Sequence, residues 1–138
     1  METLRYGFER RLADITFDQA VEKVTAALKS EGFGVLTEID VRATLRKKLD
    51  VDFRRYVILG ACNPNLAHQA LAAEPQIGLL LPCNVVVQEA SDGGVVVSIA
   101  DPRAMFTMVD NAAVSPVAAE AEERLRRVIY AVGGKEAV

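Results

Sequence analysis

Tryptophan is missing from this 138-residue chain, histidine occurs once, cysteine twice, and aromatic residues make up only 6% of it. Aliphatic side chains must therefore fill most of the core. The two cysteines, Cys62 and Cys83, lie 21 positions apart without CxxC spacing. Two thiols are too few for a disulfide scaffold and fit a reducing compartment. Long apolar runs are absent too. The longest, Ile77 to Pro82, is far short of the ~20 residues that cross a bilayer, and the N-terminus holds no run of signal length. The expectation is a cytoplasmic protein without a membrane-spanning segment. Phosphate-loop, GxGxxG, GxSxG and HExxH patterns are also missing, so no cofactor and no reaction class is signalled. Cys62, Cys83 and His68 share no spacing that fixes a metal geometry, and no metal is expected.

Charge of one sign does not dominate. The net charge of −3 gives no general attraction to nucleic acid, and no interleaved aromatics or RNA-binding motif accompany the basic residues. The cations are nonetheless concentrated: between positions 42 and 55, Arg42, Arg46, Lys47, Lys48, Arg54 and Arg55 stand against Asp50 and Asp52, a local balance of +4. A solvated helix face is the simplest reading of that window. The functional alternative is an anion held by Arg46, Lys48 and Arg55.

What is present describes a folded chain. A hydrophobic share of 51% beside 25% charged residues argues against disorder, and the length suits one domain over residues 1–138, burying roughly two-thirds of its unfolded surface. Residues 3 to 10 alternate enough for a first strand, with Leu4, Tyr6 and Phe8 on one face. Thr16 and Gln19 form a capping box, and Phe17, Ala20, Val21, Val24, Ala27 and Leu28 make the apolar stripe of a helix that Gly32 ends. "FGVLTEID" reads as a strand and "VRATLRKKLD" as a short helix with Val41, Leu45 and Leu49 four apart. "DFRRYVILG" is a further strand. After it, Asn63 caps and Pro64 starts a helix in which Ala67, Ala70 and Leu71 face inward until Pro75. Two Val-rich segments around Asp92-Gly93-Gly94 make a hairpin. Asp101-Pro102 and Ser115-Pro116 repeat the arrangement of cap and proline. The last helix aligns Val117, Ala118, Ala121, Leu125, Val128, Ile129 and Val132, with Glu120–Arg124, Glu122–Arg126 and Glu123–Arg127 as pairs on its outside. The class is α+β, with helices packed on one face of a mainly antiparallel sheet.

The chemistry-bearing candidates converge on "YVILGACNPNLAHQAL". Cys62 sits just before a helix N-terminus, where free N–H groups and the helix dipole welcome negative charge and lower a thiol pKa. His68 follows six residues later, within reach as a base. Against this, buried cysteines are common core residues, capping alone explains Asn63 and Pro64, and a lone histidine is usually an exposed helix residue. Cys83-Asn84 repeats the Cys-Asn pair. The ligand-binding candidates are therefore Cys62, Asn63, His68, Cys83, Asn84, Arg46, Lys48 and Arg55, with no residue assigned to catalysis.

The segments "GFGVLTEID", "RKKL", "YVILGACNP", "GLLLPCNVVV" and "VSIADP", in that order, give the chain a close resemblance to the prokaryotic family known as domain of unknown function 302, from about Thr3 to Val132. The resemblance implies a compact α+β fold with a curved antiparallel sheet arranged as in the TATA-binding protein, and it allows a dimer. It brings no substrate or catalytic residue, and likeness of fold does not import DNA binding. Three functions follow in order: a binding module for a small anionic or sulfur-containing ligand near Cys62, a structural or regulatory homodimer acting through a protein partner, and a thiol-dependent redox protein using Cys62 and Cys83. An enzyme is the least favoured.

Overall fold

The computed structural model describes residues 2–133. Six strands form one antiparallel sheet in the order β1-β2-β6-β5-β4-β3: β1 (Glu2–Leu4), β2 (Gly7–Leu12), β3 (Gly34–Asp40), β4 (Tyr56–Cys62), β5 (Cys83–Glu89) and β6 (Val95–Ala100). The helices are α1 (Phe17–Ser30), α2 (Val41–Leu49), α3 (Pro64–Ala73), α4 (Pro102–Phe106) and α5 (Ser115–Gly133), with 3-10 turns at Pro75–Leu80 and Ala112–Val114. The α+β class and the antiparallel pairing are as the sequence implies.

Local chemistry accounts for most boundaries. Thr16 accepts from the Gln19 amide while the Gln19 side chain accepts from the Thr16 amide, and Gly32 adopts a φ of +84° just past the end of α1, a conformation that favours glycine. The β5–β6 hairpin turns at Gly93, whose φ is +94°. All seven apolar positions expected inside α5 are buried, and its three outer Glu–Arg pairs form.

Several expectations fail for identifiable reasons. The first strand is broken at Arg5-Tyr6, and β1 folds back antiparallel on β2. Tyr6 is consequently exposed rather than aligned with Phe8. Leu71 and Leu49 are exposed as well: the inward face of α3 runs through Leu66, Ala70 and Ala73, with Leu71 turned about 100° away from Ala70, and α2 buries no residue at all. Ser115 is the first residue of α5 rather than its cap, since Asn111 caps the preceding 3-10 turn and the chain runs on into the helix.

Helices α1 and α5 cover one face of the sheet. Phe8, Leu59, Val85, Val87, Val97 and Ile99 meet Val24, Leu28, Leu125 and Ile129 there. At the α3 end a smaller cluster of Ala70, Ile77, Phe106, Val114, Val117 and Ala118 makes a second core. Arg10 is a polar intruder in the first. On the helix-facing side of β2 and only 3% exposed, it lays its guanidinium against Gly133 in the last turn of α5, with its Cζ 5.9 Å from the centroid of the Tyr130 ring. Its Nη1 has no hydrogen-bond partner among the described residues.

The two ends of the sheet differ. β1 is a three-residue edge, whereas β3 is a seven-residue edge with most of its side chains in solvent. Leu36 is 67% and Ile39 48% exposed. A register shift between Val35 and Thr37 marks a bulge in its pairing with β4.

Candidate functional site

Strand β4 ends at Cys62, and the chain turns at once into α3. Asn63 makes the turn: its Oδ1 accepts from the Leu66 amide at 3.2 Å and its carbonyl accepts from the Ala67 amide at 2.8 Å. Pro64 has no N–H to offer. Two of the amides that an anion beside Cys62 would require are thus already engaged by Asn63, itself buried.

The register places Ala61 opposite Cys83 and Gly60 opposite Asn84, so Cys62 lies one step diagonally from Cys83 on the neighbouring strand. Both cysteines and Asn63 line a small, partly open cavity of about 30 Å³, lined otherwise by apolar groups including Phe33, Leu66, Leu81 and Phe106. That volume admits about one or two waters. The cavity sits where the two cores meet, with Ala61 and Ala121 from the larger cluster and Ala70 and Val117 from the smaller.

Electrostatics at the cavity oppose ionisation. Burial raises the Cys62 thiol above its ordinary value, and burial, reinforced by the charge a thiolate at Cys62 would carry, pushes Cys83 up to about 11. Burial is the leading cause at both thiols. Neither thiol is activated at neutral pH, contrary to the lowering expected for Cys62 from its place beside a helix.

The other candidates lie elsewhere. Asn84 alternates away from Cys83 and is exposed. His68 is exposed on the outer side of α3, beside an open groove shared with Asn63, Pro64, Gln69 and Arg124. It does not line the thiol cavity. The basic residues are at the opposite end of β4: Arg55, seven positions before Cys62, is ~23 Å away along an extended strand. Arg55 pairs with Asp18 at 2.9 Å and stacks over the Phe17 ring at 4.2 Å, and Arg46 pairs with Asp50 and Asp52. Lys48 is exposed on α2. One small ligand cannot touch both the thiols and these cations. Among the described residues no three His, Cys, Asp or Glu side chains are grouped to hold a metal ion, and no helix is long and apolar enough to cross a membrane.

Phe33 and Phe106 were not singled out by the sequence as part of the site. Phe106 reaches the cavity from α4, which follows the β5–β6 hairpin in the chain, and no local pattern announces such a contact.

The model of the family described as domain of unknown function DUF302 matches residues 8–132. The chain belongs to the DUF302 family. The fold agrees with this membership: the crystal structure of an uncharacterized conserved DUF302 protein from Bacillus stearothermophilus is 29% identical, covers 92% of this chain and 98% of its own, and superposes with a TM-score of 0.84. No curated protein matches the chain. DUF302 membership therefore supports the architecture and leaves activity to be argued from this molecule.

Proposed function

We propose that this DUF302 domain acts through association, as a structural or regulatory homodimer, rather than as an enzyme. The observation carrying this reading is the β3 edge, a full-length strand with Leu36 and Ile39 turned to solvent. The bulge and the two carboxylates of β3 blunt backbone pairing at this edge, so the association proposed is through the exposed apolar side chains themselves. Sedimentation velocity of the full chain tests it: a dimer is expected at micromolar concentrations, and a monomer throughout the accessible range refutes it.

A second reading is favoured by the cavity that Cys62, Asn63 and Cys83 share. Its apolar lining and neutral thiols suit an uncharged molecule of only about two or three heavy atoms, sulfur-containing or hydrocarbon, better than an anion. Native mass spectrometry of protein purified from its own cells would reveal a bound mass lost on cavity-filling Ala70→Leu. A bare chain mass in both would remove this reading.

A further inference from the structure

We propose that the cleft between the first turns of α1 and the junction of β3 with α2 binds a small zwitterion, a molecule of free amino acid type that carries an ammonium and a carboxylate together.

The cleft is partly open, with a volume of about 110 Å³. Val21 of α1 and the buried Val57 of β4 give it apolar surface. Strand register brings the charges to it. Glu38 is paired with Leu59 and Asp40 with Val57, and Leu59 and Val57 both belong to the core beneath the helices. Glu38 and Asp40 therefore share the helix side of the edge strand, ~7 Å apart, while Ile39 between them turns to the opposite face.

Guanidinium groups enter the same space from Arg42 in the first turn of α2 and from Arg55 just before β4. Arg55 is already engaged, paired with Asp18 and stacked on Phe17. Asp40 gives one oxygen to the Ala43 amide at 2.9 Å as the cap of α2, which leaves its second oxygen free. Glu38 and Arg42 have no hydrogen-bond or ion-pair partner among the described residues, so the cleft holds one uncommitted carboxylate and one uncommitted guanidinium.

This mixture selects the ligand. The lining carboxylates, Asp18, Glu38 and Asp40, outnumber Arg42 and Arg55 and repel a plain anion, while the two guanidiniums repel a plain cation. No three metal-ligating side chains are grouped among the described residues. A zwitterion satisfies both signs: its ammonium donates to Glu38 and to the free oxygen of Asp40, and its carboxylate accepts from the Arg42 fork. The volume suits about seven to ten heavy atoms, the size of a small neutral amino acid, whose side chain then lies against Val21 and Val57.

Isothermal calorimetry of the full chain tests this with L-valine and with its two halves, isovalerate, which lacks the ammonium, and isobutylamine, which lacks the carboxylate, at one ionic strength. L-valine is expected to bind with millimolar affinity or better, and each half ~10-fold or more weaker, the loss of one charge-assisted contact. Arg42→Gln and Glu38→Gln, both at exposed positions, are expected to weaken L-valine by a similar ~10-fold, with Lys48→Gln on the same helix as the unchanged control. No binding of L-valine overturns the proposal, and so does binding that either half matches or that both variants leave intact.

Discussion

Replacing Cys83 by alanine should flatten the alkaline side of the stability profile. In the folded chain its thiol titrates at about 11, compared with an ordinary value of 9.0. Between those values the unfolded chain has released the proton and the folded chain has kept it, so the folded state binds more protons and stability falls as pH rises. The contribution is fully present below pH ~9 and is lost progressively up to pH ~11. Two units of displacement correspond to about 2–3 kcal/mol. Urea unfolding of the parent and of Cys83→Ala at pH 8 and pH 11 measures it. Contributions from all other groups are common to both proteins and cancel in the comparison. The parent should lose about 2–3 kcal/mol more than the variant. Equal losses would refute the claim that Cys83 is held neutral by burial, and with it the account of the cavity as an apolar space.

Three further substitutions probe features described above. Asn63→Ala removes the cap of α3 and should lower stability by about 1 kcal/mol, read as a reduced thermal midpoint; no change would mean that the α3 amides are satisfied otherwise. Gly60→Ala sets a methyl group against Thr37 Oγ1 and within 2.8 Å of Pro82 Cγ, an overpacking worth about 1–3 kcal/mol in denaturant unfolding. Arg10→Met keeps the aliphatic stem and removes a buried guanidinium whose Nη1 has no partner among the described residues. Relief of that desolvation, about 1–3 kcal/mol, opposes loss of a weak ring contact and of a cation near the α5 C-terminus, each about 0.5–1 kcal/mol. The variant should be equal to or more stable than its parent in urea, and a loss above ~2 kcal/mol would show that Arg10 is better paired than the geometry indicates.

Local signals were legible wherever the deciding chemistry was local. The Thr16–Gln19 box, the Asn63-Pro64 start of α3, the glycine turn between β5 and β6 and the stripe of α5 each occupy a few adjacent residues, and each reappears in the fold. Register between distant segments was not legible. That Ala61 faces Cys83, which makes the two cysteines neighbours, depends on how β4 and β5 align across a 20-residue excursion through α3. The convergence of Cys62 with Arg46, Lys48 and Arg55 failed for a similar reason: they are close in sequence, but an extended strand spends its length separating them. The thiol pKa reversed direction because a helix start acts within one turn, while the desolvation at Cys62 and Cys83 comes from side chains contributed by other elements. Tyr6 misled because an alternating pattern reads the same in a continuous strand and in a hairpin that turns within it.

The seam between the two hydrophobic clusters is also a plane along which the molecule can part. Helix α3 and the 3-10 turn after it bring Ala70 and Ile77 to a cluster that Phe106 of α4 and Val117 and Ala118 of the first turn of α5 complete, so this corner has contacts it can lose by local opening while the larger cluster under the sheet stays closed. Chemical probes of Cys83 would then report the frequency of that opening rather than the width of any standing entrance, and mild denaturant would quicken labelling well before the protein unfolds.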